Sequence, residues 1–346
     1  MKRFLIQLLL FLIPAIVLLV ININFMSFFY FRPWEDISFK YQDVYSLSPF
    51  YPDSKIFRNS VGDLCHHTNN AVYKHEYWIT DKLGFRNDEF VDKPDILFIG
   101  DSFIVGSSLS QKDILSNKVK SKFDNTIKVY NMAPSNFSQF DYYLRLGIIK
   151  KPKILIYSQV ERKLPQPMYT IKFGLLHNVV LKLFNTMNVN VYIDKMLKFS
   201  SINWIKARIQ NNKGIGVRGI SNMYFLNGYS QKYEDNYVNK SLEIINTYKK
   251  YCDSLGIKFI YLAMPNKETV YFDLVPFVKQ PNYLLQLDSL LKTEKIATIN
   301  TLKIYNDFRK KNKILLYHLD DTHWTPIATE LISKEIVRIL KQNKQN

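Results

Sequence analysis

From residue 95 onward the chain alternates short runs of β-branched and aromatic residues with longer stretches whose apolar residues recur at helical spacing. The runs 96–99, 127–130, 154–158, 258–263 and 314–317 read as strands. The stretches 111–123, 137–149, 233–254, 282–292 and 326–340 read as helices. This alternation implies an α/β fold, a doubly wound and mainly parallel sheet. Ligands in such sheets bind at the C-terminal edge. The first run, Asp95-Ile96-Leu97-Phe98-Ile99, stops at Gly100, and Asp101-Ser102-Phe103 opens a helix at that edge. A serine there turns its hydroxyl outward beside helix N–H groups able to hold a developing negative charge. Asp101 and Ser102 also fit a plain helix cap with no chemistry.

The rhythm breaks in two places. Residues 163–232 carry apolar residues at helical spacing (Leu175, Val179, Leu181, Leu183), extra aromatics and the turn-prone run Asn211-Asn212-Lys213-Gly214-Ile215-Gly216. They read as a helical insertion into a domain spanning 91–346. Residues 36–90, rich in Tyr, Phe, Asp and Asn without a sustained period, read as a loop-rich lead-in. Within it Leu83-Gly84-Phe85-Arg86-Asn87 marks a fixed turn, from which Arg86 either reaches an acid near the sheet edge or lies on the surface.

Ahead of all this, Lys2 and Arg3 precede a run from 4 to 21 that is apolar apart from Gln7. That length is near the minimum for crossing a bilayer, and Pro14 is tolerable in such a helix. The aromatics Phe25, Phe28, Phe29, Tyr30, Phe31 and Trp34 follow like an interfacial belt. Residues 1–35 are therefore expected to be an uncleaved single-pass anchor. Lys2 and Arg3 would lie in the cytoplasm, and everything after residue 35 on the outer, periplasmic or extracytoplasmic side.

The formal charge of +17 calls for an anionic neighbour or reflects a general use of lysine and asparagine. Its even spread, with no basic arm, zinc-finger or RNP-type signature, argues against nucleic acid. Two cysteines, Cys65 and Cys252, make no disulfide framework, although they could pair in an oxidising compartment. Cys65-His66-His67 lacks a second ligand pair at metal-site spacing and reads as solvated loop residues. No metal and no cofactor is expected.

A serine nucleophile needs a base, and the base an orienting acid. Among six histidines, His318 and His323 lie together in Tyr317-His318-Leu319-Asp320-Asp321-Thr322-His323-Trp324-Thr325-Pro326, between the last expected strand and the last expected helix. Asp321, two before His323, or Asp320, three before, could accept from the imidazole Nδ1–H and leave Nε2 for the serine. Trp324 could pack on the ring, Pro326 starts the closing helix, and His318 is expected to be structural. A helix start with incidental polar residues accounts equally well for this stretch alone.

Gly100-Asp101-Ser102-Phe103 early and Asp321-Thr322-His323-Trp324 late resemble the SGNH (GDSL-type) hydrolase superfamily. The branch containing the alginate O-acetyltransferases and related polysaccharide acetylation proteins is nearest. Leu83-Gly84-Phe85-Arg86-Asn87, Gln159-Val160-Glu161-Arg162-Lys163-Leu164 and Met264-Pro265-Asn266-Lys267-Glu268-Thr269-Val270-Tyr271, with Pro276 beyond, are similar to further motifs of that branch. The resemblance implies an SGNH/flavodoxin-like fold with Ser102 as nucleophile, His323 as general base and Asp321 as its acid, Asp320 second. Around these, Asp101, Asn131, Glu161, Arg162, Lys267, Tyr271, Trp324 and Arg86 are expected as supporting residues. Glu161 with Arg162 reads as a buried pair, and Tyr271 as a staple over the site. In the oxyanion hole the family's glycine falls on Asn136, so the resemblance implies the Ser102 N–H and the Asn136 N–H as donors, since Asn tolerates a left-handed backbone. The third family block, Gly-x-Asn-Asp, is replaced by Gln159 to Arg162. The serine precedes the histidine, as in ordinary SGNH hydrolases.

The expected function is a membrane-anchored O-acyltransferase, most simply an O-acetyltransferase, acting on a cell-envelope or secreted polysaccharide through an acyl-enzyme. As the resemblance implies, a separate membrane-bound acyltransferase would supply the acyl group. The alternatives are a carbohydrate esterase of the same fold and a non-catalytic glycan-binding scaffold.

Overall fold

The computed structural model describes residues 2–25, 32–40, 48–66, 68–172, 179, 189–198, 216–219, 222–226, 236–275 and 280–342. In chain order these form helices α1 (Lys2–Phe25) and α2 (Pro33–Ile37), strands β1 (Lys55–Ser60), β2 (Lys74–Ile79) and β3 (Ile96–Ile99), and helices α3 (Ser102–Val105) and α4 (Leu115–Ser121). There follow β4 (Val129–Asn131), α5 (Phe137–Arg145), β5 (Ile154–Val160), α6 (Val189–Lys198), β6 (Gly216–Arg218), β7 (Tyr224–Leu226) and α7 (Tyr237–Ser254). The chain closes with β8 (Lys258–Met264), α8 (Lys267–Val270), α9 (Tyr283–Thr293), β9 (Ala297–Asn300), α10 (Thr301–Arg309) and α11 (Pro326–Gln342).

The central sheet has the order β4-β3-β5-β8-β9 with every pair parallel. All four residues of β3 are buried, which is why the run carries no alternation: a strand covered on both faces has no polar side to show. The chain steps one way from β3 to β4 and the other way from β5 to β8 and β9. Right-handed crossovers then place the helices on both faces, and a crevice opens where the direction reverses, between the ends of β3 and β5. At that point Gly100 lies so close to β5 that a Cβ would stand 2.7 Å from the Ser158 carbonyl oxygen.

Several expectations shift. The run 314–317 is not a strand but an irregular segment whose Tyr317 makes one isolated bridge to Trp324. Its apolar residues Leu316 and Tyr317 are buried by packing, without a ladder. The fifth strand is β9, short and half polar, at the sheet edge. The stretch 111–123 splits into a 3-10 turn and α4. The loop-rich lead-in also carries a two-stranded ribbon: β1 and β2 pair antiparallel from Lys55↔Ile79 to Ser60↔Lys74. Cys65 and Cys252 are both free and both buried, so Cys65 is no solvated residue; its thiol points at the Asn70 carbonyl, 3.6 Å away. Within 163–232 the described parts are 163–172, Val179, α6, β6, β7 and short flanks; Leu175, Leu181 and Leu183 lie outside the described residues, as do Phe28 to Phe31, His67 and Pro276.

Helix α1 carries outward-facing apolar side chains, among them Phe4, Leu10, Phe11 and Leu18. Among the described residues no helix is long and apolar enough to cross a membrane, so the expected span over residues 4–21 is not found there.

Candidate active site

The site grows from the end of β3. Asp101 caps α3, its Oδ1 accepting from the Phe103 N–H at 3.0 Å. Its Oδ2 accepts from the Val160 N–H at 3.2 Å, tying the end of β3 to the end of β5. Ser102 is the first residue of α3. The far end of that helix is held by Arg86, which is fully buried and pairs with backbone, neither reaching an acid nor lying on the surface. Its guanidinium donates to the carbonyls of Val105 (3.2 Å), Gly106 (2.5 Å), Leu109 (2.7 Å) and Tyr77 (3.2 Å) and to Gln111 Oε1 (3.1 Å). It lies 3.6 Å from the centre of the Trp78 ring. Burial pulls the Arg86 pKa down to about 9, against Glu76, Asp88 and Asp113, so it remains a cation at neutral pH.

Across the crevice, His323 Nε2 stands 2.8 Å from Ser102 Oγ, and His323 Nδ1 stands 2.6 Å from Asp321 Oδ1. A carboxylate at Nδ1 requires the proton there, which leaves Nε2 to accept from the serine hydroxyl. Asp321 Oδ1 also accepts from the His323 N–H (2.9 Å), and Oδ2 from Ser108 Oγ (2.7 Å) and the Asp63 N–H (3.2 Å). Burial opposes ionisation of Asp321, but His323, by charge and hydrogen bond, with Lys74 and Arg32 nearby, outweighs it and holds its pKa well below the ordinary carboxylate value. Phe103 packs on the imidazole with ring centres 5.1 Å apart. Trp324 packs on Phe103 at 5.8 Å.

Asp320 is otherwise engaged. It accepts from the Gly62 N–H (2.7 Å) and the Val72 N–H (2.9 Å) in the loop joining β1 to β2, and from Nζ of Lys74, the first residue of β2 (3.0 Å). Asp63, in the same loop, accepts from the Thr322 N–H (2.9 Å) and Thr322 Oγ1 (2.8 Å) and pairs with Arg32 at 2.9 Å. The segment read as lead-in is thus one wall of the histidine turn. Asp63, Asp321 and His323 lie close enough to hold a cation, but protein donors already occupy both carboxylates.

Lys267 forms the other wall. Its Nζ donates to the carbonyls of His318 (2.6 Å), Leu319 (3.0 Å) and Asp321 (3.0 Å). Burial lowers its pKa to about 8 in spite of Asp321, Glu268, Asp63 and Asp320 nearby. Tyr271 Oη accepts from the Leu316 N–H at 2.8 Å, stapling the segment that leads into the turn. Glu161 and Arg162 converge on Asn266: Glu161 Oε2 accepts its N–H at 2.9 Å, and Arg162 donates to its Oδ1 at 3.1 Å. Asn131 is fully buried, donating to the Ile104 carbonyl (2.9 Å) and accepting from the Ala133 N–H (3.0 Å). His318 is half-buried, and its Nε2 has no partner among the described residues.

The Asn136 N–H is not available to an oxyanion. Asn136 is the N-cap of α5 with φ −109°, and its N–H donates to Gln139 Oε1 at 3.0 Å in a reciprocal capping box. Beside Asp101 a cleft of about 480 Å³ is lined by Ser135, Asn136, Gln139, Gln159, Lys163 and Gln166 among others. Gln159, at the end of β5, accepts from Tyr157 Oη at 2.5 Å, which fixes the amide with its oxygen inward. Its Nε2 makes no hydrogen bond among the described residues. Sequence reading missed Asp63, Ser108 and Lys74 altogether. Their signal is proximity across more than 200 positions, which no local pattern carries.

No protein-family model matches the chain, and no curated protein matches it in sequence. Among solved structures it is similar to a putative acylhydrolase from Bacteroides fragilis, 11% identical with a TM-score of 0.35, over 73% of this chain and 88% of that one. It is also similar to a GDSL-like lipase from Bacteroides thetaiotaomicron, 11% identical with a TM-score of 0.34, over 73% and 89% of the two chains.

Proposed function

We propose that this chain is a serine-dependent acyl-transfer enzyme working through Ser102, His323 and Asp321, and that it moves a small acyl group, acetyl in the simplest case, between an ester donor and a sugar hydroxyl. The observation that carries this reading is the unbroken relay Ser102 Oγ–His323 Nε2–His323 Nδ1–Asp321, at 2.8 and 2.6 Å. Ser102 Oγ attacks the ester carbonyl while its proton passes to Nε2, and Asp321 stabilises the imidazolium so formed. The tetrahedral oxyanion rests on the Ser102 N–H and the Gln159 amide. Collapse expels the alcohol, which takes the proton from Nε2, and leaves the acyl group on Ser102. A second hydroxyl, deprotonated by His323, resolves the acyl-enzyme by the reverse steps.

The polar lining of the cleft supports a hydroxyl-rich acceptor, and the resemblance to polysaccharide acetylation proteins supports a glycan of the cell envelope or a secreted one. The apolar run 4–21 with its outward side chains in α1 supports an anchor that keeps the domain on the outer side of a membrane. There a membrane-bound acyltransferase would be the donor's source.

The test is labelling of the purified chain by a fluorophosphonate probe, with an aryl acetate as substrate in the presence and absence of glycan. Labelling at Ser102, lost in Ser102→Ala, and acetate diverted from water to added glycan are expected. Labelling with release to water unchanged by glycan identifies an esterase, and absence of labelling identifies a scaffold.

A further inference from the structure

Helix α6 is amphipathic in the inverse sense. Asn190, Asp194 and Lys198, spaced four apart on one face, are buried at 0%, 0% and 7% exposure, while Tyr192 and Met196 on the opposite face are 63% and 38% exposed. Leu197, on the flank, is also exposed. The inward stripe is firmly held. Asp194 accepts from the Lys40 N–H (2.8 Å) and Tyr51 Oη (2.7 Å), and Lys198 Nζ donates to the carbonyls of Glu35 (3.4 Å) and Asp36 (3.1 Å). It also lies 4.6 Å from the centre of the Tyr51 ring. Val189, Val191, Ile193 and Lys195 are half-buried between the two faces, and a helix that turns Asp194 and Lys198 inward while Tyr192, Met196 and Leu197 face outward presents an apolar face to its surroundings.

Two observations say what that medium is. α6 is in contact with α1, the helix whose own apolar side chains face outward. The inner stripe of α6 also sits on α2, which starts only eight residues after α1 ends. We propose that α6 is a second membrane contact, lying in the interface of the bilayer that α1 enters, with Tyr192 and Met196 turned toward the acyl chains. The proposal rests on the anchor reading above. α2 is also where Arg32, its N-cap, pairs with Asp63, the acceptor for Thr322. The two contacts would therefore hold the histidine turn close to the membrane surface, within reach of a donor presented there.

The experiment uses the full chain reconstituted in liposomes of phosphatidylcholine and phosphatidylglycerol. A polarity-sensitive fluorophore is attached through Leu10→Cys, Met196→Cys or Leu285→Cys, one at a time. Blue-shifted emission quenched by nitroxide-labelled acyl chains is expected at positions 10 and 196 and not at 285. A lipid-like signal at 10 with a water-like signal at 196 overturns the α6 contact and leaves the anchor standing. Water-like signals at both overturn the two together. In the double variant Tyr192→Ser, Met196→Ser, the same fluorophore attached through Leu197→Cys is expected to report water, and a lipid-like signal there also overturns the proposal.

Discussion

The Gly62 N–H donates to Asp320 Oδ2 at 2.7 Å, joining two points 258 residues apart in the chain. A Cβ at Gly62 would stand 1.9 Å from the Asp320 carbonyl oxygen. Backbone therefore rests directly on backbone, one residue before the acid that orients His323. Gly62→Ala must push the turn away. With reacting groups displaced by the order of 1 Å, a loss of about 10²-fold in kcat/KM is expected. Ester turnover and circular dichroism together check it, since a folded variant with wild-type turnover would show that the contact is irrelevant to the site.

The division of labour between the two adjacent acids is testable. Asp321→Asn exchanges the acceptor at Nδ1 for a group that no longer fixes the tautomer, and a drop of about 10³–10⁴-fold in kcat is expected. Asp320→Asn loosens the β1–β2 loop but leaves the imidazole with its partner, so its cost should fall mainly on thermal stability. Steady-state kinetics on both variants decide it: a larger kcat effect at Asp320 would reverse the assignment.

Gln159→Leu removes the amide that lines the cleft without touching the relay. Loss of one oxyanion donor is expected to lower kcat by about 10²-fold with KM little changed. Wild-type kcat in this variant would remove Gln159 from the mechanism.

Lys267→Met leaves the carbonyls of His318, Leu319 and Asp321 buried without their donor. A destabilisation of about 2–4 kcal/mol is expected, measured by urea unfolding at pH 7. An unchanged midpoint would mean that the turn holds its shape without the lysine.

Acid sensitivity has a local source. Burial, with Lys74 beside it, pulls the His318 pKa from 6.5 to about 4 in the folded chain. Between those values the unfolded chain binds a proton that the folded chain does not, so stability falls as pH drops from about 6.5 to 4. Asp321, whose folded pKa is depressed, adds a loss in the same direction below about pH 3.8. Melting temperatures of wild type and His318→Phe at pH 7 and pH 4.5 check the first part. The variant should lose less, by about 1–2 kcal/mol, and equal losses would place the sensitivity elsewhere.

The sheet was legible because β3, β5 and β8 are apolar runs buried on both faces, a requirement that writes itself into consecutive residues. β9 escaped because an edge strand needs no such run, and 314–317 misled because core packing alone can keep residues apolar. Ser102, His323 and the adjacent acids Asp320 and Asp321 could be named in advance from local patterns, a serine after a strand and acids just before a histidine, while the choice of Asp321 over Asp320 came from the family resemblance. Which neighbours hold that trio was not legible.

The one-dimensional order of residues determined an α/β sheet, the position of Ser102 at its edge and a two-residue spacing that lets Asp321 reach its own histidine. Only the tertiary structure decided that Asp320 serves the β1–β2 loop, that Arg86 and Lys267 are buried cations capping backbone carbonyls, and that the Asn136 N–H is already taken. The physical reason is the range of the forces. Strand burial, helix caps and i,i+2 contacts act between near neighbours, whereas a buried carboxylate or ammonium takes whatever partner the folded chain brings within about 3 Å, however far away it lies in the sequence.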